Sequence, residues 1–454
     1  MKHGVYVREQ KTSVSTPVVA ESGVPFVVGT APVHCAESPA ALFTPVLCTD
    51  WEDWKTYTIC EVMYSHFKLF QRQPIIFCNV LDPSTNKEAV AGAEVTLSGK
   101  QAKLPFDAIL SSLVVKTASS SESPLVKDTD YAAYYSDGNL IVETIEDGAA
   151  KAATKLYISY DKIKTADIDD DDIVKGIEAI DLCMATVSTT PDLIIAPGWS
   201  HTSTVQAVMA AKAEVINGIL GAKSICDIDC SASGARSYDA VAAKKSATNL
   251  IDPAQIAVWP QVKLGSKQFH LSTQLAGLMA KVDSGNDGVP YESPSNKALQ
   301  CDGACLEDGT DVTLTLEQAN ILNANGICTA LRFMNYTACY PSNTDIKDYF
   351  IPISRMFKWV GNSLIKTFWS KTDSPMNRRL LDNIKDSANN WLAGLVGSEY
   401  LLGARVEILD SENPMTDLMA GIVRIHIYMT PPSPAQEIDF VLEYDTDYVQ
   451  SALA

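Results

Sequence analysis

The sequence of 454 residues lacks the features that mark membrane proteins and nucleic-acid-binding proteins. No apolar run approaches the roughly 20 residues that a membrane-spanning helix needs, and the longest runs, such as PDLIIAPG, have the length of a buried strand. No charged start with an apolar segment follows Met1, so no signal peptide is expected. The net charge of −19 argues against general affinity for nucleic acid. We therefore predict neither membrane insertion nor nucleic-acid binding.

Residues that bind metals are few or badly spaced. The sequence has six histidines, none paired at i,i+4, and eleven scattered cysteines, an odd number that favours reduced thiols in a protein made in the cytoplasm. Cys226 and Cys230, like Cys301 and Cys305, stand four positions apart, wider than most zinc-binding pairs. Buried or incidental thiols are favoured, and metal binding stays open. The acidic run at 167–173 lacks the Gly and the final Glu of a calcium loop and suits a helix start.

No group of residues forms a credible catalytic set. The segment Gly218–Ser224 has no Gly directly before its Lys, so it fails as a phosphate-binding loop. Ser200 and His201 are adjacent, but no G-x-S-x-G motif surrounds the serine, and helix capping explains the pattern. We expect no enzyme and no cofactor. The alternative is an α/β enzyme or ligand-binding protein with its site at the strand ends near Gly198–Ser203.

What the sequence does contain is an alternation of apolar strands and amphipathic helices. Strands are predicted at Gly23–Val33, Gln73–Pro83, Asp192–Ala196 and QIAVWPQVK (255–263), with helices at about Trp51–Phe70 and Thr202–Leu220. This order is typical of a mixed, mostly parallel sheet covered by helices. The predicted fold class is therefore α/β plus β.

A segment of different composition interrupts this pattern at about Ser84–Lys155. Thr, Ser, Lys and Val dominate it, and Ser136-Asp137-Gly138-Asn139 is typical of a hairpin turn. We predict an inserted β-rich module. A surface-binding protein centred on this module is a third hypothesis for the function.

The last hundred residues are predicted to form an α+β domain. Its helix is predicted from Ser374, a possible cap, to Leu395, with Gly397 available to end it. Two alternating strands follow at Ala404–Leu409 and Gly421–Met429.

Both ends of the chain carry a strand-like segment with no obvious partner. Near the N-terminus Val5 and Val7 alternate with Tyr6 and Arg8, and a polar Ser/Thr stretch follows. Near the C-terminus the run Glu437–Tyr444 alternates in the same way beyond the stiff sequence PPSP. An unpaired strand can complete its hydrogen bonds on the sheet edge of another chain.

Several short motifs, in order along the chain, resemble those of contractile phage tail sheath proteins. They are HGVYVRE, GVPFVVGTAP, PDLIIAPGWS, the segment 275–299, LNANGICTALRF and RRLLDNIKDSANNWLAGLVG. The family's Trp-Gly-x-Arg-Thr signature is replaced here by NYTACYPSNT. The resemblance spans nearly the whole chain, and it leaves open a phage sheath or the sheath of another tail-like particle, such as an R-type bacteriocin of the diffocin kind.

The resemblance implies a division of the chain. It gives terminal arms at 1–20 and 431–454, a core at 21–83 and 156–345, an outer module at 84–155 and a tube-proximal domain at 346–430. The arms would each add a strand to a neighbouring subunit, with the donor residues Val5, Tyr6, Val7, Arg8, Ile438, Phe440 and Leu442. The acceptor residues would be Val406, Ile408, Val423, Ile425 and Ile427. Residues facing the inner tube would be Arg378, Arg379 and Lys385.

The implied function is mechanical. Subunits made in the bacterial cytoplasm would polymerise helically around an inner tube protein, between baseplate and tail terminator proteins, in an extracellular virion tail or tail-like particle. Contraction would then drive the tube through the envelope of a target cell. Because the energy would come from new contacts between subunits, no nucleotide is expected.

Overall fold

The computed structural model describes residues 17–36, 38–49, 57–120, 123–332, 346–445 and 448. The predicted donor residues Val5, Tyr6, Val7 and Arg8 lie outside these ranges. No helix of the described ranges has the length and apolarity that a bilayer span requires.

Strands and helices of the described residues are named here in chain order. The strands are β1 (Pro25–Gly29), β2 (Pro45–Cys48), β3 (Ile75–Asn79), β4 (Lys87–Thr96), β5 (Gln101–Pro105), β6 (Val114–Lys116), β7 (Tyr131–Ser136), β8 (Asn139–Thr144), β9 (Lys155–Ile163), β10 (Leu193–Ile195), β11 (Lys223–Asp227), β12 (Gln255–Val258), β13 (Gln261–Leu264), β14 (Lys267–Phe269), β15 (Gly303–Cys305), β16 (Asp311–Val312), β17 (Ile327–Cys328), β18 (Gly403–Glu407) and β19 (His426–Thr430). The α-helices are α1 (Thr58–Met63), α2 (Asp170–Glu178), α3 (Cys183–Val187), α4 (Ser203–Glu214), α5 (Tyr238–Ala247), α6 (Leu271–Gly285), α7 (Leu316–Ala324), α8 (Ile346–Tyr349), α9 (Ile351–Phe368), α10 (Arg378–Gly397) and α11 (Met415–Met419).

The core is a seven-stranded sheet in the order β17-β12-β11-β10-β1-β3-β2. Every pair in it is parallel except β2 with β3 at one edge. The strands β1 and β3 are buried along their whole length, as expected of strands covered by helices on both faces. The predicted mixed α/β sheet is therefore confirmed.

Helix α6 packs so closely on the core that most of its residues are buried. Gly277 lies at its closest contact, because a Cβ built there would stand 2.4 Å from Cδ2 of Phe70. A helix buried on nearly all sides has no clear polar face.

The inserted module is β-rich, as predicted. Two antiparallel three-stranded sheets, β4-β9-β6 and β5-β8-β7, enclose a separate apolar cluster that includes Leu104, Val115, Leu140 and Leu156. The hairpin turn is confirmed between β7 and β8, where Asp137 and Gly138 both have positive φ. The last strand, β9, continues to Ile163, beyond the expected end of the module at Lys155.

The C-terminal part contains two long helices, a two-stranded antiparallel sheet and a third apolar cluster. Helices α9 and α10 contribute Met356, Trp359 and Leu392 to this cluster, and β18 contributes Val406. The rings of Trp359 and Trp391 lie 5.7 Å apart, so the two helices are packed together.

Two predicted elements differ from the structure for clear reasons. The stretch QIAVWPQVK, predicted as one strand, is two strands in different sheets, because Pro260 has no N–H with which to continue a ladder. The helix predicted from Ser374 begins instead at Arg378, capped by the Asn377 side chain, which accepts from the N–H of Leu380 at 2.9 Å.

Candidate assembly site

The C-terminal segment beyond β19 exposes apolar side chains to an unusual degree. Ile438 is 70% exposed, Phe440 86% and Leu442 95%, and the segment belongs to no strand of the described structure. An isolated exposed leucine is ordinary, but a run of large apolar side chains marks a surface that another chain covers. The run 437–444 is therefore exposed and outside every strand of the described residues, and its role as a donated strand stays a prediction.

The predicted acceptor residues are only partly in strands. Val406 lies in β18 and Ile427 in β19, where the two stand opposite each other. Ile408, Val423 and Ile425 lie outside both strands, which are shorter than the expected segments 404–409 and 421–429. A turn and the short helix α11 occupy the connection between the strands. The side-chain amide of Asn413 also accepts from the N–H of Arg424 at 2.7 Å and donates to its carbonyl at 2.9 Å, so Arg424 does not pair with β18.

The predicted tube-facing residues lie on α10. Arg378 and Arg379 are exposed in its first turn, and Lys385 is half-buried farther along. The Arg378 side chain is 95% exposed, and its Nε lies 3.7 Å from a carboxylate oxygen of Asp382. Such an exposed ion pair contributes little to stability, so these cations remain available to a partner.

The last residues of the predicted N-terminal arm are fixed to α9 by three side chains spaced four residues apart. The Trp359 indole donates to the carbonyl of Ala20 at 2.9 Å, and the Ser363 hydroxyl accepts from the N–H of Ala20 at 2.9 Å. The Thr367 hydroxyl accepts from the N–H of Val18 at 2.9 Å. Positions four apart share a helix face, so α9 holds the root of the arm along one stripe.

A buried ion cluster joins α9 to the core. The guanidinium of Arg355 donates to Asp283 at 2.9 Å and to Asp192 at 2.6 Å, and Asp192 also accepts from the N–H of Val24 at 2.8 Å. Burial alone would lower the pKa of Arg355, but the two carboxylates outweigh it and raise the pKa, so the arginine stays charged. This cluster was not predicted, because its residues are far apart in the sequence.

The structure gives little support to catalysis near Gly198–Ser203. Ser200 is fully buried, and its hydroxyl donates to Asp227 at 2.9 Å rather than to a histidine. Asp227 also accepts from the hydroxyl of Ser272 at 2.5 Å. The hydroxyl of Ser200 thus links the ends of neighbouring strands by a hydrogen bond. A nucleophilic serine would instead need an exposed oxygen and a base within reach.

A cavity of about 430 Å³ adjoins this turn, beyond the carboxyl end of β10, and residues of α1 and β14 also line it. Its polar wall contains the partly buried pair of His270 and Glu61, whose Nδ1 and carboxylate oxygen lie 3.0 Å apart. Burial would lower the pKa of His270, but the Glu61 carboxylate outweighs it and raises the pKa to about 9. The pair is thus ionised and mutually satisfied near neutral pH, as a structural pair would be.

The cysteine pairs show no metal-binding arrangement. Within the described ranges no group of three or more His, Cys, Asp or Glu side chains could hold a metal ion. Burial raises the pKa of the Cys230 thiol to about 11 and that of Cys301 to about 12, so both remain protonated near neutral pH.

The similarity to known proteins extends over nearly the whole chain. No family model matches it. The chain is 26% identical over 484 residues to the tail sheath protein of Burkholderia phage BcepMu, with 98% of this chain and 97% of that protein covered. Its fold is similar to a chain of the anti-feeding prophage baseplate, with a TM-score of 0.57, 15% identity and 98% and 99% of the two chains covered. It is also similar to the PVC sheath of an extracellular contractile injection system in its contracted state, with a TM-score of 0.58, 13% identity and 99% of each chain covered.

The fold is therefore similar to those of chains from contractile injection systems, two of them sheath chains in the contracted state. The particular protein that this chain resembles in sequence is a phage tail sheath protein, over nearly the full length of both. The resemblance to the contractile tail sheath family that the sequence predicted is confirmed.

Proposed function

We propose that this chain is the structural subunit of a contractile tail sheath and has no enzymatic activity. The observation that carries the proposal is the end-to-end similarity to a named tail sheath protein, since a shared domain alone would not cover 98% of the chain. The exposed apolar tail supports it, because a protein built to work as a monomer would cover such side chains.

Polymerisation is proposed to proceed by strand exchange. The tail Glu437–Tyr444 and the N-terminal segment 4–9 would each pair with the sheet β18–β19 of a neighbouring copy. Each backbone hydrogen bond contributes about 1 kcal/mol net, and each large apolar side chain that becomes buried adds about 1.5–3 kcal/mol. A head-to-tail contact that does not close on itself produces a helical polymer.

Contraction is proposed to be a repacking of subunit bodies that stay linked by their arms. The polar stretch at 11–16 and the prolines at 431–434 separate each arm from its body. New contacts between bodies would supply the energy, so no nucleotide is required. The particle would be extracellular, with its subunits made in the bacterial cytoplasm.

The inner tube is proposed to contact α10. Residues 346–400 contain eight Lys and Arg and five Asp and Glu, whereas the whole chain has 36 and 55. The exposed cations Arg378 and Arg379, on a protein that is acidic as a whole, suit an acidic partner. The double change Arg378→Glu with Arg379→Glu should prevent extended sheaths from forming on tubes, as judged by electron microscopy. Lys103→Glu with Lys151→Glu in the inserted module is the control, and equal assembly of both variants would refute the contact.

The inserted module is proposed to lie on the outside of the sheath, away from the tube, baseplate and terminator contacts. It has its own apolar cluster and its own sheets, so its removal need not disturb the core. Deletion of residues 87–163 should leave arm-linked polymers intact. Loss of all polymers in a folded deletion variant would contradict this placement.

The direct test of the function is negative-stain microscopy of the purified full-length protein. Long striated tubes or rings of fixed diameter are expected. Removal of residues 1–12 should abolish these polymers and leave a soluble, folded subunit with an unchanged circular dichroism spectrum. A small oligomer of uniform size that turns over a substrate would refute the proposal.

A further inference from the structure

The two-stranded sheet of the C-terminal domain has two edges that are not equivalent. Strands β18 and β19 run antiparallel, with Val406 opposite Ile427 and Arg405 opposite Tyr428. In the described chain no other strand joins this sheet. A donated strand could therefore approach along β18 or along β19, and the hydrogen bonds of Val406 distinguish the two.

The edge of β18 is closed at its middle by a side chain of α10. The amide oxygen of Asn389 accepts from the N–H of Val406 at 2.9 Å, and its amide nitrogen donates to the carbonyl of Val406 at 3.5 Å. The Asn389 amide thus takes the place that the backbone of a third strand would occupy. Val406 is only 2% exposed, so a further strand cannot reach it unless Asn389 and α10 move away.

The edge of β19 is the open one. Since the backbone of Val406 bonds Asn389 and not β19, Val406 and Ile427 form a non-hydrogen-bonded pair. In such a pair the N–H and C=O groups of both residues point away from the opposing strand. The backbone groups of Ile427, and by the same alternation those of Met429, therefore point outward from the sheet along β19.

The two faces of the sheet differ in polarity, and the two sides of the segment 437–444 differ in the same way. Val406 and Ile427 face the apolar cluster between α9 and α10. On the other face the Arg405 guanidinium lies 3.7 Å from the centre of the Tyr428 ring. A strand added to β19 must therefore be apolar on one side and tolerate polar neighbours on the other, as the tail is. Its apolar side would consist of Ile438, Phe440, Leu442 and Tyr444, which are 70–95% exposed.

We propose that the outer edge of β19 receives the segment Glu437–Tyr444 of a second copy of this chain, and that Asn389 reserves the β18 edge against pairing. This inference rests on the proposed function and adds to it the choice of edge. The occupant is a second copy because the chain's own tail stands free of its own β19, beyond three prolines in the stretch 431–434.

Cysteine cross-linking in the assembled full-length protein tests the choice of edge. Neighbouring strands on one face place Cβ atoms about 4.5–5.5 Å apart, close enough for a disulfide, whereas a strand one farther away lies about 10 Å off. The pair Tyr428→Cys with Val441→Cys probes β19, and Arg405→Cys with Val441→Cys probes β18. Asp439→Cys and Glu443→Cys replace the tail position in turn, to cover shifts of register.

After oxidation, at least one β19 pair should give a ladder of cross-linked dimers and higher oligomers on a non-reducing gel. The β18 pairs should give no more cross-linking than the unsubstituted protein, which reports the background of the native cysteines. A ladder from the β18 pairs, or polymers that cross-link from neither strand, would overturn the choice of edge. A cross-linked monomer would overturn the second copy as occupant. If the unsubstituted protein forms no polymers at all, the proposed function itself fails, and the inference fails with it.

Discussion

Removal of the guanidinium of Arg355 should be among the most damaging single changes in the molecule. Arg355 is 4% exposed and bonds Asp283, which is 1% exposed, as well as Asp192. Without the cation, a buried carboxylate loses its partner in a place that water does not reach. Breaking a buried ion pair in this way costs about 3–5 kcal/mol, so Arg355→Met should lower the free energy of unfolding by that amount.

Urea unfolding followed by tryptophan fluorescence measures this loss, since Trp359 lies on the same helix as Arg355. With a slope of about 3 kcal/mol per molar urea, the midpoint should fall by roughly 1–2 M. Arg378→Met is the matched control, because its side chain is 95% exposed and its ion pair should be worth under about 1 kcal/mol. Equal shifts in the two variants would refute the reasoning.

The cause of the loss can be tested separately by pH and by a second substitution. Burial already raises the pKa of Asp283 with Arg355 present, and it should rise further in Arg355→Met. The folded variant would then bind a proton more tightly than the unfolded chain, so lowering the pH from 7 to 5 should recover stability. Asp283→Asn added to Arg355→Met should recover stability at pH 7. A deficit that neither change reduces would point to lost packing instead.

Two smaller predictions concern the core and the root of the arm. Gly277→Ala should destabilise the protein by about 1–3 kcal/mol and lower its melting temperature, because the new methyl group meets Phe70, whereas the control Gly285→Ala has open space and should not destabilise. Thr367→Val removes the acceptor of the Val18 N–H and should speed amide hydrogen exchange at Val18 about tenfold, or ~1.4 kcal/mol. Exchange in the strands of the core should not change. An unchanged rate at Val18 would show that Thr367 does not hold the root of the arm.

Features with a local cause were predictable from the sequence. The hairpin turn follows from Asp137 and Gly138, which tolerate the positive φ that a two-residue turn needs. The helix at α2 follows from the acidic run, where Asp169 accepts from the N–H of Asp172 at 3.0 Å. The tail at 437–444 was visible because its alternation continues past a proline-rich break.

Features that depend on distant partners were not predictable. Helix α9 was not predicted, and the sequence did not show that its polar residues Ser354, Arg355, Asn362 and Ser363 would be buried. Three of these polar groups have partners far away in the sequence, such as the bonds of Asn362 to both backbone groups of Gly221 at 3.0 and 2.8 Å. The sequence near α9 gives no sign of these distant partners.

The same limit explains why the candidate site was found only in part. Sequence alternation identified segments that could donate a strand or accept one. It could not tell which edge of the β18–β19 sheet would accept the strand. Asn389 does so, and it lies on a helix whose pattern had no evident reason for an amide at that point. A half-buried amide that bonds the edge of a short sheet costs a helix position that an apolar side chain could have occupied. That cost is reasonable where pairing on the wrong edge would put every later subunit of a polymer out of place.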